Sequence, residues 1–388
     1  MLDRVPFVAK IPIFPLTEFN AAGLIAGSIP MNGTSKFFLR REIEFVVAVL
    51  QATTIVLQPL LIKNSVFLIQ ISFKYSTPIK IDKTNPPSFY GKMPSGKQMF
   101  FEMMKLLNEE RKLINSKFYK IPKTPLKALL GAAKGSFDFF VDLPKIDKRR
   151  ASGKFAEVET KKKDLPKYYL RNFHYQTDGY LSEKSARLYE FQVETLFTGC
   201  AATMRRFSMI PLINYLNSNK RNIKLLDIGT GTGEIIESYK LNLKDTEITC
   251  SDLSEEYLNV AKQKLKKFKD IKYVNCKGEE LPFEKESFDV LTSTYMFHEI
   301  PTEIRKQVFS EISRVLKKGG IFVLTDSLQI DDNPKLNPLL EFFPYSTHEP
   351  FYPKYIREDL KEVAKNYGLE MYYNKNAYLS KSMAFRKL

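Results

Sequence analysis

The run Leu225-Leu226-Asp227-Ile228-Gly229-Thr230-Gly231-Thr232-Gly233 joins an apolar stretch, a carboxylate and three alternate glycines. Glycines that follow a buried strand let the backbone approach a ligand closely, and the helix N-terminus beyond them offers free N–H groups. A dinucleotide loop reads Gly-x-Gly-x-x-Gly. Here Glu234 stands where the third dinucleotide glycine would fall. Asp227, two residues before the first glycine, suits a ligand with a cationic end and no pyrophosphate. A second acid, Asp252, lies where ribose-binding carboxylates occur in such folds, roughly 20 residues beyond the loop. The competing role for Asp252 is a plain helix cap beside Ser254.

S-adenosylmethionine has the matching parts: an amino-acid head, a sulfonium and a nucleoside. Methyl transfer is an in-line displacement at the sulfonium methyl, so alignment supplies most of the rate. A base is needed only when the nucleophile carries a proton at neutral pH. Two of the three histidines follow apolar, strand-like runs at the edge where open α/β sheets bind ligands. His298 sits in Tyr295-Met296-Phe297-His298-Glu299, and His348 in the aromatic segment from Phe342 to Tyr352. Both are candidate catalytic bases, against the alternative that each is structural. Tyr295, Glu349 and Tyr352 are candidate acceptor contacts, and their surroundings suit a flat or greasy acceptor such as a quinone, phenol or isoprenoid.

These residues need a scaffold, and the hydrophobic period supplies one. Strands are expected at Ile223–Ile228, Glu247–Cys250, Ile271–Asn275, Phe288–Ser293 and Ile321–Thr325, alternating with helices. That alternation reads as a parallel, doubly wound α/β sheet. Ser254 caps one helix, and Thr302 opens another that Gly319-Gly320 should stop. A helix over about Ile356–Tyr367 and a hairpin turning at Lys375-Asn376 complete the domain. Upstream, Ser182 caps a helix through Ala186, Tyr189, Val193 and Leu196 that ends at Gly199, and a second helix runs from Ala201 to about Leu216.

Over residues 220–326 the chain resembles a class I methyltransferase of the type 11 kind, on the motifs LLDIGTGTG, CSDLS, GEELPFEKESFDVL and RVLKKGGIFVLTD. The resemblance implies a Rossmann-like, mostly parallel seven-stranded sheet with an N-terminal helical extension. It places Asp227 and Gly229 near the methionine end, with Thr230, Gly231 and Gly233 completing the loop. Asp252 then meets the ribose, Leu253 flanks the adenine, and Thr294 lies at the same sheet edge. Relatives often carry an acid where this chain has Lys277, so adenine recognition shifts to Gly278 or Glu279. The stretch Asn172–Tyr180 resembles the lead-in of a branch found in cyanobacteria and photosynthetic eukaryotes. Such segments commonly lid the cofactor, which makes Tyr175, Gln176 and Tyr180 candidate lid residues, with Tyr175 and Tyr180 candidate acceptor contacts as well.

The protein has 388 residues and a net charge of +16, of which +13 falls in residues 1–164. A basic segment ahead of a near-neutral domain suits an anionic membrane or nucleic acid; solvated lysine faces are the plain alternative. Residues 1–95 are compatible with a targeting segment, a membrane-associating segment or a folded domain. The apolar run Ile43–Ile62 is interrupted by Glu44, Gln51, Gln58 and Pro59, which weakens it as a spanning helix. Residues 96–164 read as amphipathic helices and a charged linker, and residues 165–388 as the catalytic domain with a helical lid at 165–220. Three cysteines without CxxC spacing fit a reducing compartment, cytoplasm or organelle stroma. Two other functions stay open: a non-catalytic S-adenosylmethionine-binding scaffold, and a nucleic-acid methyltransferase. Against the latter, Ser293-Thr294-Tyr295-Met296 stands where an Asn/Asp-Pro-Pro-Tyr motif would be expected. No metal is expected from the spacing.

Overall fold

The computed structural model describes residues 92–122, 158 and 165–388, apart from 177, 198 and 219–221, and leaves out the side chains of 175, 195, 345 and 346. The apolar runs at 43–62 and 66–73, the segment 123–143 and all but one residue of the linker 145–163 lie outside the described residues.

Residues on β1 (Ile223–Ile228) are apolar in near-continuous succession because both faces of the strand are buried. Leu226 and Ile228 pack with Val308, Phe309 and Ile312 on one face. Ile223 and Leu225 pack with Ile236, Tyr239 and Leu258 on the other. The remaining strands are β2 (Thr246–Asp252), β3 (Ile271–Asn275), β4 (Phe288–Thr294), β5 (Leu316–Ser327), β6 (Leu369–Ala377) and β7 (Ser380–Lys387). They form a seven-stranded sheet in the order β3-β2-β1-β4-β5-β7-β6. Pairing is parallel from β3 through β5, and β7 runs antiparallel to both its neighbours. The expected doubly wound, mostly parallel sheet is therefore present.

Among the described residues the helices are α1 (Gly96–Asn115), α2 (Glu183–Leu196), α3 (Ala201–Arg206), α4 (Met209–Ser218), α5 (Glu234–Asn242), α6 (Glu255–Lys264), α7 (Thr302–Val315), α8 (Asn337–Thr347), α9 (Tyr352–Tyr355) and α10 (Leu360–Lys365). Ser95 caps α1 in a reciprocal capping box with Gln98. Leu106 and Glu110 of this helix face inward, and Glu110 accepts from Arg206, Thr203 and Tyr119.

Four local expectations are corrected. The helix from Ala201 breaks at Phe207-Ser208, because Pro211 lacks an N–H and its ring crowds the carbonyl four residues back. Gly319-Gly320 do not stop α7, which ends at Val315; they lie inside β5 opposite a register shift at Phe288/Val290. Gly320 is packed there so tightly that a Cβ would sit 2.7 Å from the Asp289 carbonyl. The helix expected from Ile356 begins at Leu360, where the Asp359 carboxylate accepts the N–H groups of Lys361 and Glu362. The last hairpin turns at Tyr378-Leu379 rather than Lys375-Asn376, with Tyr378 in the left-handed region (φ 62°). In α2, Ala186 and Val193 are buried as expected, whereas Leu196 is exposed.

Arg305 on α7 is fully buried and holds the turn after β4. Its guanidinium donates to the carbonyls of Phe297 and Ile300 and pairs with Glu358 at 2.5 Å. Removing it strands a buried carboxylate and two carbonyls, so Arg305→Ala should cost about 3–5 kcal/mol of unfolding free energy. Chemical denaturation measures this, and a loss below about 1 kcal/mol would show that the turn does not depend on the arginine.

Candidate functional site

From β1 the chain winds outward through β2 and β3 and then crosses back to β4 on the other side of β1, a reversal that opens a crevice at the carboxyl ends of β1 and β4. A cavity there is lined by residues from β1, β2, β4, the glycine loop and the lead-in ahead of α2. Gly229, Gly231 and Gly233 all have positive φ, which a side chain would strain. Gly229 and Thr230 donate their N–H groups to the Ser251 carbonyl at 2.9 Å, so the loop folds back over β2. Around Gly231 an added Cβ would meet nothing within 4 Å, which leaves its face open to the cavity. Gly233 does not line the cavity; its close neighbours are Leu265 and Ala261, so its smallness serves helix packing.

Two carboxylates line the cavity. Asp227 is buried on β1 and accepts a 2.5 Å hydrogen bond from Thr292 on β4, and burial pushes its pKa up to about 7. Asp252 accepts from Gly231 N and Ser254 N, both at 2.7 Å, and burial raises it to about 6. Ser254 itself caps α6, accepting from Tyr257 N, so Asp252 is not the cap. Each Asp252 oxygen keeps a lone pair for a ligand hydroxyl. Leu253, Gly278, Glu279 and Thr294 also line the cavity, as expected. Glu279 accepts a 2.5 Å hydrogen bond from Tyr168.

Much of the remaining lining is aromatic. Tyr168, Tyr169, Tyr180, Tyr189, Tyr257 and Tyr295 line it together with Phe173. Tyr180 stacks on Phe173 at 5.1 Å and meets Tyr257 edge-on at 5.3 Å. Tyr295 sits in the left-handed region (φ 56°), with the Arg205 guanidinium 5.4 Å from its ring. Strain of that kind persists only where surroundings enforce it. The lid is bonded to the cofactor loop, since Glu190 on α2 accepts from Thr232 at 2.6 Å and pairs with Arg205 at 3.0 Å. The lead-in is bonded to the sheet edge, Ser254 donating to the Tyr180 carbonyl at 2.6 Å.

Neither candidate base lines the cavity. His298 is buried behind it, with Nδ1 2.5 Å from Asp326, whose carboxylate also accepts from Phe297 N and Ser327 N. Burial alone would depress the His298 pKa, yet the adjacent Asp326 carboxylate outweighs it and raises it to about 9. An imidazole held in that form has no lone pair to take a proton at neutral pH. His348 ends α8 in the left-handed region, with its pKa lowered to about 4 by burial and by Arg171 and His174. Glu349 and Tyr352 are buried outside the lining; Tyr352 meets Ser327 at 2.6 Å. Gln176 is buried, donating to Gln192 at 2.5 Å, and does not line the cavity. The side chain of Tyr175 lies outside the described residues.

The group that does face the cavity is Glu299, the residue after His298. It accepts a 2.5 Å hydrogen bond from Tyr180 and lies 3.5 Å from His174 Nε2. Sequence reasoning missed Glu299, His174, Asp326, Glu190 and Arg205. Glu299 alone carried a local signal, as an acid beside a histidine at a strand's carboxyl end.

A cation pairing with Asp227 requires its carboxylate. Because the free protein holds Asp227 protonated below about pH 7, S-adenosylmethionine affinity should rise by up to about tenfold per pH unit toward 7 and then level. Asp227→Asn should flatten that slope, and Asp252→Ala should weaken binding by about 1–3 kcal/mol through lost charged hydrogen bonds. Calorimetry from pH 5.5 to 8 reads both. A flat wild-type profile removes Asp227 from the cationic end, and unchanged affinity removes Asp252 from the ribose.

Comparison with known proteins agrees with this geometry. A family model described as a methyltransferase domain matches residues 226–324. The ubiquinone/menaquinone biosynthesis C-methyltransferase UbiE of Campylobacter jejuni is 34% identical over 112 residues, covering 28% of this chain and 46% of that protein. A demethylmenaquinone methyltransferase of Staphylococcus aureus is 33% identical over 111 residues, covering 28% and 45% respectively. The chain thus spans about half the length of the relatives it matches. A solved SAM-dependent methyltransferase from Aquifex aeolicus is 17% identical, covers 47% of this chain and 93% of that one, and has a TM-score of 0.35. Residues 226–324 are thus similar to a methyltransferase domain, and they lie in a doubly wound, mostly parallel sheet.

Proposed function

We propose that the protein transfers a methyl group from S-adenosylmethionine to a small, flat, hydrophobic acceptor of the quinone type. The observation that carries this reading is a single cavity lined both by the glycine loop with Asp227 and Asp252 and by a set of tyrosines with Glu299. The residues fit the cofactor by chemistry: a carboxylate for the ammonium, a second for the ribose hydroxyls, and aromatic faces for a sulfonium. Bound there, S-adenosylmethionine supplies an electrophilic methyl for in-line displacement. The chain's own part is alignment and exclusion of water. The Glu190–Thr232 and Tyr168–Glu279 bonds close the lid over the loop.

Acceptor identity draws support from the relatives named as quinone C-methyltransferases. Tyr180 and Tyr295 would bound the acceptor directly, and Tyr175 belongs to the same lead-in. His298, fixed by Asp326, acts as a positioning residue behind Glu299. His348, Glu349 and Tyr352 support this wall from behind. The lead-in Asn172–Tyr180 keeps the assignment to a cyanobacterial and plastid-type branch within this proposal. Contact with an anionic membrane also belongs to it. Phe100 and Phe101 on α1 are exposed, beside exposed Lys97 and Lys105. Among the described residues no helix is long and apolar enough to cross a membrane.

Labelled methyl from S-adenosylmethionine should pass to a quinol lacking one ring methyl, with product identified by mass. Cofactor binding without transfer to any quinol or phenol would instead favour a scaffold role, and label in RNA a nucleic-acid enzyme. Replacing Phe100 and Phe101 with Ser should reduce sedimentation with anionic liposomes at least threefold. Equal sedimentation would detach α1 from the membrane.

A further inference from the structure

Behind the Glu299 wall, three side chains from distant segments converge. His174 comes from the lead-in, Glu299 from the turn after β4, and Glu349 from the chain just past α8. Each offers one ligand atom, and the three atoms lie within 4.8 Å of one another. His174 Nε2 is 3.5 Å from Glu299 Oε1, and His174 Nδ1 is 3.2 Å from Glu349 Oε1. The two contacts use opposite nitrogens of the ring, so a common ion would take one of them together with an oxygen of each carboxylate, within the 4.8 Å cluster.

A protonated His174 between two carboxylates is the competing account, and the hydrogen-bond geometry speaks against it as a complete one. His174 Nε2 and both Glu349 oxygens are buried without a hydrogen bond, and Glu349 is 1% exposed. Neither imidazole contact therefore satisfies the acid it approaches. Of the groups packed around the cluster, Tyr180 donates to Glu299, while His298 and Asp326 are already paired with each other. Two carboxylates thus share one imidazole, and Glu349, paired with His174 but accepting no hydrogen bond, keeps both oxygens available to an ion, the other means by which a buried carboxylate is compensated.

We propose that His174, Glu299 and Glu349 bind one divalent first-row metal ion. An imidazole with two carboxylates suits Mn2+ or Zn2+, and three protein ligands leave a position open, as in catalytic metal sites. Because Glu299 also lines the cavity, the open position faces the acceptor end. There the ion binds a ring oxygen of the acceptor and polarises it. That last role rests on the methyl-transfer reading above; the ion site itself does not.

The test uses the full chain, freed of metal by chelator and titrated with Mn2+ alone, with the free ion followed by its paramagnetic resonance. Mn2+ avoids competition from the three cysteine thiols, which prefer softer ions. One ion per chain is expected, with affinity falling at least 100-fold in Glu349→Gln and in His174→Ala. Affinity for S-adenosylmethionine, measured on the same samples, shows which variants remain folded, and loss of the ion in either folded variant supports the site. Failure of wild type to take up one equivalent of Mn2+ or of Zn2+ overturns the proposal, and so does an equivalent that survives both substitutions. Stoichiometric binding without transfer to any quinol would sink only the acceptor reading.

Discussion

A parallel sheet covered on both faces has no room for polar groups except where its strands end. β1 shows the constraint clearly, because its apolar residues feed two separate cores on opposite faces and Lys224 alone of the strand is exposed. Chemistry is thereby forced to the carboxyl edge. At β1 the edge opens, because the winding of the chain reverses across it. Asp227, the one acid within β1, marks the tension between the two demands. It lies close enough to the edge to line the cavity and deep enough that burial resists its charge. The Thr292 hydroxyl from β4 compensates in part.

Around that opening the protein builds with hydrogen bonds between residues far apart in sequence. Glu190 to Thr232, Tyr168 to Glu279 and Ser254 to the Tyr180 carbonyl each tie the lead-in or lid to the sheet edge. Their acceptors or donors are buried or half-buried, so breaking one leaves an unsatisfied polar group behind. The lid is accordingly part of the cavity wall rather than a separate flap. Arg305 does for the turn after β4 what these bonds do for the lead-in, and the turn carries both His298 and Glu299.

Burial also decides what the histidines can do. His298 and His348 occupy comparable positions after strands four and five, yet their environments drive them apart. An adjacent carboxylate holds the first protonated to about 9; burial, with Arg171 and His174 nearby, drops the second to about 4. Neither difference is written in the residues next to them. Asp326 lies 28 positions beyond His298 and reaches it only because β4 and β5 pair in register.

What the sequence determined by itself was everything governed by a few adjacent residues. The three alternate glycines with Asp227 ahead of them, Asp252 at the next strand end, the Ser254 cap and the strand periods all act within one turn or one strand. That the glycine loop, Asp227 and Asp252 would lie together was legible for that reason. Local rules misled where a packing partner overrode them: Gly319-Gly320 read as a helix stop but serve a close strand crossing, and Gly233 read as a ligand glycine but makes room for Leu265. The acceptor end belongs to tertiary structure. His174, Glu299 and Glu349 are joined by no spacing a sequence can show, since their proximity arises only when the lead-in folds back over β4 and α8 closes behind it. Burial and partner, which set the charge each of these groups can carry, exist only after that closure.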